Sequence, residues 1–220
     1  MSFSSNLEVK PVPDGSPDSG VPELAGAAAR SRAETRRRLL EAGTDLFARV
    51  GLHRTTSTQI ARAAGVAAGT VYLYFSSKAD LFVALHERLF DLIDRAVREA
   101  PVVSPDMPEA TRSRIHAVFA ACNLESDLLR LVFLNFDPRS QVARKMRRGD
   151  RDRMRPLANL LSQGMEAGTV RQGDAMLLAH LITAAVSVAL HQCFVVGDGA
   201  HASEYEDIAT RMVIGALEPP

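Results

Sequence analysis

The sequence has only two cysteines in 220 residues, Cys122 and Cys193. That is too few for a disulfide scaffold and fits a reducing cytoplasm. It also lacks net charge: 26 Lys and Arg offset 26 Asp and Glu. At face value this argues against a nucleic-acid partner, because duplex DNA is held through a surplus of cations. No run alternates apolar and polar residues with period two, so no strand is expected, and no internal repeat is present. The first residues show no basic stretch followed by an apolar one, so they are not read as a signal peptide. There is no Gly-rich phosphate loop, nucleophile elbow or paired-carboxylate signature. The six histidines (His53, His86, His116, His180, His191, His201) have no second His or Cys at ligand spacing. No catalytic residue, metal or cofactor is therefore expected, and function is sought in binding.

What is present is a composition of 46% hydrophobic and 24% charged residues, that of an ordinary soluble globular protein. The zero net charge is a cancellation. Residues 1–29 are net −3, residues 30–78 are net +6 and residues 79–220 are net −3. The cationic stretch is built mainly by Arg30, Arg32, Arg36, Arg37, Arg38, Arg49, Arg54, Arg62 and Lys78. Asymmetry of this kind points to an anionic partner for one part of the chain. A second +6 stretch spans residues 139–155, where Arg144, Arg148, Arg151 and Arg155 recur at helical spacing. Two readings stay open for it: a solvated face, or a site for an anionic effector or auxiliary DNA contact.

Apart from a Ser-, Pro- and Gly-rich stretch at 1–29, expected to be a disordered tail, the pattern is helical. Leu39, Gly43, Leu46, Phe47 and Val50 share one face of a first helix that Gly51 closes. Thr56-Ser57-Thr58-Gln59 has capping-box spacing and opens a short second helix. Ser77 to Asp80 is a looser version, opening a long helix with Leu81, Leu85, Leu89, Leu92 and Ala96 on its buried stripe, stopped by Pro101. Further helices are expected at about 108–122, 124–135, 138–166, 173–196 and 203–217. Asp137-Pro138 is read as the start of the third of these and Ser203-x-x-Glu206 as the cap of the last. Pro156 is expected to kink or split the 138–166 helix. Ala175 to Val196 carries no formal charge and is long enough to span a bilayer. Its polar residues and high alanine content favour a helix buried in a bundle or a subunit interface, and no membrane partner is expected.

Residues 56–81, TSTQIARAAGVAAGTVYLYFSSKADL, read as two short helices joined at Gly65. The joint of a tight helix-turn-helix needs left-handed backbone geometry, which Gly adopts without steric cost. Ile60, Ala61, Ala64, Val66 and Val71 face inward. Tyr72 and Tyr74, two of the three tyrosines in the chain, end the second helix with a half-apolar, half-hydrogen-bonding side chain that suits phosphate contact. This segment closely resembles the DNA-binding module of TetR-type bacterial transcriptional regulators through Thr56, Ile60, Ala61, Ala64, Gly65, Val66, Gly69, Tyr72, Tyr74, Phe75, Lys78 and Leu81. The helix before it resembles theirs through Arg36, Leu40, Ala42, Leu46, Phe47 and Gly51. The resemblance is strong over 32–85 and faint beyond.

The resemblance implies an all-α fold of about nine helices: a helix-turn-helix domain at 30–77, then a larger effector-binding and dimerisation domain at 78–220. It implies a sequence-specific regulator, a repressor released from a palindromic operator by a small molecule. A DNA-binding regulator or architectural protein without an effector is the alternative. Thr56, Ser57 and Thr58 would offer hydroxyls and helix N-terminal amides to phosphates. Ala67, Ala68, Gly69 and Thr70 would face base edges. Tyr72, Tyr74 and Lys78 would hold phosphates, and the arginines of 30–38 would add phosphate or minor-groove contacts. Two departures bear on base readout: Ala67 stands where a Ser would cap the recognition helix, and Ala68 where many relatives carry a longer polar side chain. A homodimer is expected through the last two helices, since two modules on a two-fold axis read a palindrome. Phe119, Cys122, Phe133, Phe136, Met154, Met165 and His180 are candidates to line an effector pocket, with plain core packing the alternative.

Overall fold

The computed structural model describes residues 21–101, 107–135, 139 and 141–219, and for 21–25, 141, 142 and 145–151 it describes the backbone only. The chain divides into two compact units, Met1–Arg37 and Arg38–Pro220. In the first unit the described residues belong to helix α1 (Val21–Val50). The expectation of a disordered tail over 1–29 is thus corrected for 21–29. Ala25 and Ala27 to Ala29 are strong helix formers, and Pro22 is tolerated in a first turn. Residues 1–20 lie outside the described residues. Further along this unit the Arg37 guanidinium pairs with Glu34 at 2.6 Å, and the Thr35 hydroxyl donates to the Ser31 carbonyl.

In the second unit the rest of α1 is followed by α2 (Ser57–Ala63), α3 (Thr70–Tyr74), α4 (Lys78–Glu99), α5 (Met107–Leu124), α6 (Ser126–Leu134), α7 (Gln141–Glu166), α8 (Ala175–Leu190) and α9 (Ala202–Leu217). There is no strand among the described residues, so the all-α expectation holds. α8 runs directly into a π-helical turn, His191–Val196, so the single helix expected at 173–196 changes hydrogen-bond register near its end. Arg130 of α6 holds that turn by donating from its guanidinium to the carbonyls of Phe194 and Gly197.

One continuous core runs from Leu39, Phe47, Ile60 and Val71 through Leu81, Leu85 and Leu89 of α4 to Phe119, Leu129, Leu161, Phe194 and Val213. Burying each such Leu or Phe stabilises the fold by about 1.5–3 kcal/mol before entropy is counted. α4 is the shared element, because its stripe packs on α5, α6 and α7 while its first turn meets α1. There Gly43 lies so close to Leu81 that a Cβ on it would sit 2.7 Å from the Leu81 Cδ2. The helices behind α4 pack as α7 along α8, α5 against α9 and α8 against α9.

Three local expectations are corrected or fall outside the described residues. Pro156 does not split its helix: α7 is continuous from Gln141 to Glu166. Met154, Ala158, Leu161 and Met165 are buried on either side of it, and that packing outweighs the missing backbone donor. Ser203 does not cap the last helix. α9 starts at Ala202, with His201 at the cap position and no side-chain cap bond. Asp137 and Pro138 lie outside the described residues.

Candidate nucleic-acid interface

The reading head is shaped by local hydrogen bonds. Thr56 caps α2: its hydroxyl accepts from the Gln59 N–H at 3.2 Å, and the Gln59 carboxamide oxygen accepts from the Thr56 N–H at 2.8 Å. α2 then ends in a Schellman turn, with the Gly65 N–H donating to Arg62 O and the Val66 N–H to Ala61 O. Gly65 adopts φ +66°, the geometry this turn demands at its C′ position. The chain turns again at Ala67, whose carbonyl accepts from the Thr70 N–H at 2.9 Å. α3 starts at Thr70 with Gly69, not Ala67, at its cap position, and a glycine offers no side-chain cap bond.

α3 turns Val71 inward, and Phe75 just beyond it is likewise buried. Outward it presents Tyr72 at 60% and Leu73 at 83% exposure. Ala67, Ala68 and Gly69 are exposed, Thr70 and Tyr74 half-buried. Thr58 is exposed and Ser57 half-buried at the open end of α2, where unpaired backbone N–H groups favour an anion.

Two candidate phosphate residues are already engaged. The Thr56 hydroxyl is spent on its cap. The Lys78 ammonium donates to the carbonyls of His53 at 3.0 Å and Thr55 at 3.1 Å, which ties the start of α4 to the segment entering α2. Thr55 itself is buried, and its hydroxyl donates to Gly51 O. The sequence reading missed Leu73, whose exposure on a short helix only the fold reveals. It also missed Thr55, for which the signal was the doubled threonine before the capping box. Arg54 and Arg62 are exposed and have no ion pair among the described residues, while Arg49 is paired with Asp45. Arg38 places its guanidinium beside the Gly65 turn.

The candidate pocket residues separate. Phe119, Cys122, Met154 and Met165 are buried core. The Phe119 ring lies 6.2 Å from that of Phe194, and the Met154 sulfur accepts from the Thr183 hydroxyl. Burial pushes the Cys122 thiol up to about 12. Phe133 is half-buried against His191. His180 is exposed and does not join this set, and Phe136 lies outside the described residues. A cleft of about 510 Å³ lies elsewhere, between α1, α4 and the α5–α6 corner, lined by residues including Asp45, Arg88, Leu124 and Glu125. The Arg88 guanidinium meets Glu125 there at 2.9 Å.

α8 and α9 carry an apolar face that none of the described residues covers. Leu177, Leu181 and Val188 on α8, with Ile208 and Met212 on α9, are each at least half exposed. Ala175–Val196 is long and apolar enough to cross a membrane by composition alone, and 22% of its apolar window is buried within the chain. Of the arginine stripe, Arg144 and Arg155 are exposed and Arg155 pairs with Asp152. The side chains of Arg148 and Arg151 lie outside the described residues.

Residues 39–85 match the family model described as bacterial regulatory proteins, tetR family. The chain is 30% identical over 151 residues to the HTH-type transcriptional activator FasR of Mycolicibacterium smegmatis, covering 67% of this chain and 69% of that protein. It is 25% identical over 146 residues to the fatty acid metabolism regulator protein of Bacillus subtilis, covering 64% of this chain and 73% of that one. The crystal structure of the transcriptional regulator FadR from Bacillus subtilis in complex with stearoyl-CoA superposes with a TM-score of 0.70 at 19% identity, over 83% of this chain and 99% of that one, a likeness of fold alone. The chain belongs to the TetR family of bacterial regulatory proteins and is a DNA-binding transcriptional regulator.

Proposed function

We propose that the protein is a homodimeric repressor, working in the cytoplasm, that leaves a palindromic operator when a small molecule binds among the helices behind α4. The observation that carries the reading is the outward face of α3, a small-residue surface followed by the exposed Tyr72 and Leu73, set on a rigid turn. Ala67, Ala68 and Leu73 offer methyl groups and few hydrogen-bond donors, so base readout favours thymine methyls. Tyr72, Tyr74, Ser57, Thr58 and the amides of α2 contact phosphates, and Arg54 and Arg62 add cations. Lys78 acts mainly by fixing α4 to the segment before α2.

The uncovered face of α8 and α9 supports dimerisation: stripes of exposed Leu, Val, Ile and Met at helical spacing are what a helical interface buries. Small residues, among them Ala184 and Gly215, lie on the same exposed surface. His180 belongs to this face rather than to a pocket. For the effector we propose an acyl compound, supported by the Bacillus subtilis regulator of fatty acid metabolism and the stearoyl-CoA complex. The name of the Mycolicibacterium smegmatis relative, an activator, favours a second reading in which the same contacts recruit transcription.

The test begins by selecting duplexes from a random pool with the purified protein. A palindrome is expected, and stearoyl-CoA is expected to release it in a mobility-shift titration. Recovery of no common sequence would refute the reading. A reporter fused to the operator separates the two signs: deletion of the regulator raises expression for a repressor and lowers it for an activator.

A further inference from the structure

Within Arg38–Pro220, α4 packs against α7, and the contact holds a cation that its surroundings do not satisfy. Arg153 of α7 lays its guanidinium over the Phe90 ring of α4, with Cζ 4.3 Å from the centroid. Phe90 in turn stacks on His86, one turn earlier, at 4.5 Å. The Nη1 of Arg153 is buried and has no hydrogen-bond partner among the described residues. Asp94, one turn further along α4, senses the guanidinium charge, yet no ion pair joins the two among the described residues. His86 is no substitute, since burial first and Arg153 second hold its imidazole down to about 4, leaving it neutral at pH 7.

A guanidinium cannot shed its proton. A buried N–H on a charged group that lacks an acceptor costs more than its neutral counterpart, and each such group in a native fold calls for an explanation. The ring of Phe90 covers one face of the guanidinium, and among the described residues nothing answers the buried Nη1 on its edge. A carboxylate or phosphate answers that edge best, with two parallel N–H···O bonds. Apolar residues accompany it on both helices: Phe90 lies under the guanidinium, Ile93 and Val97 are partly buried further along α4, and Met154, next in the chain, is buried.

We infer that Arg153 is the anion-recognition residue of the effector site and receives the oxyanion of a ligand whose remaining body is apolar. The inference rests on the ligand-release reading above and names the ligand chemistry for it. The oxyanion comes from a free carboxylate or from the phosphates of a thioester carrier, and the experiment separates the two.

Stearate, stearoyl-CoA and stearyl alcohol are titrated below their micelle concentrations into wild-type protein, Arg153→Gln and Arg153→Lys, following binding heat and unfolding midpoint. Wild-type protein is expected to bind one of the two charged ligands at least tenfold tighter than the alcohol. Arg153→Gln is expected to lose tenfold or more for that ligand, with the alcohol unchanged within twofold, and Arg153→Lys to recover part of the loss. The ligand-free midpoint of Arg153→Gln is expected to be unchanged or raised, because the substitution removes an unsatisfied buried charge; an arginine kept for packing would lower it. Equal affinity of wild-type protein for charged and uncharged chains overturns the inference, as does undiminished binding of the charged ligand by Arg153→Gln. If a charged chain releases wild-type protein and Arg153→Gln from the operator equally, this inference fails and the acyl-effector reading stands. If no chain binds or releases, both fail.

Discussion

Two regions of this protein solve the problem of polar groups in opposite ways. In the reading head most hydrogen bonds are local, the Lys78 ammonium on the His53 and Thr55 carbonyls being the main exception. Thr56 and Gln59 cap each other, the Ser77 hydroxyl accepts from the Asp80 N–H and donates to the Asp80 carboxylate, and the Gly65 turn closes on α2 itself. Behind it, where α4 meets α7, the Arg153 guanidinium is brought beside His86 and Asp94 from far along the chain, and its buried Nη1 is left without an acceptor among the described residues. The first region is fixed before any partner arrives. The second leaves a charge unanswered, and in our proposal a ligand answers it and so brings the reader under the control of the core.

The sharpest way to break this contrast is to disconnect two identical heads. Leu181→Arg with Ile208→Arg places charges in the uncovered α8–α9 face and is expected to give a folded monomer by sedimentation. Its affinity for a palindrome should drop on the order of a thousandfold, the scale at which linked binding exceeds single binding. A dimer that persists would move the interface elsewhere.

The next largest effect belongs to the core. His86 has a folded-state pKa near 4 against an ordinary 6.5. The stability from keeping it neutral is therefore complete above 6.5 and lost as pH falls toward 4. At roughly 1.4 kcal/mol per unit the loss reaches about 3 kcal/mol. Urea unfolding at pH 7 and near pH 4 measures it, and His86→Phe should flatten that part of the slope. An unchanged slope would mean that the imidazole is hydrated.

In the head, Gly65→Ala forces a side chain into φ +66° and should cost about 1–2 kcal/mol of stability, measurable by thermal unfolding. The smallest effect tests the methyl-reading face. Replacing operator thymines by uracil, or Leu73 by Ala, should weaken specific binding several-fold without altering its salt slope, since no phosphate contact is lost. A changed salt slope for Leu73→Ala would instead place that residue against the backbone.

How much of this was legible in the sequence follows the same division. The Thr56–Gln59 capping box, the Ser77 cap, the Gly65 joint and the buried stripe of α4 were readable because each is encoded within a few neighbouring residues. Helix at 21–29 was obscured by flanking Pro and Ser, and α7 runs through Pro156 because buried residues around it outweigh one lost hydrogen bond. The anchoring role of Lys78 was not legible for a physical reason: its acceptors are backbone carbonyls 25 and 23 residues away, and carbonyls leave no mark in a sequence. The pocket candidates suffered similarly. Helical spacing marks a residue as inward or outward but does not say what it faces, so His180 looked like a pocket lining and lies on an exposed face. Arg153 read only as one arginine beside a basic stripe, and nothing local distinguished it from its solvated neighbours.

The central claim is that the heads stay fixed while the core decides whether both can engage. It is tested most directly by titrating wild-type protein onto the full palindrome and onto a single half-site, at one salt concentration, with and without saturating stearoyl-CoA. Affinity for the palindrome is expected to fall about tenfold or more with ligand, within the usual range of allosteric coupling, while half-site affinity stays within about twofold. Equal weakening of both duplexes, or of neither, would contradict it.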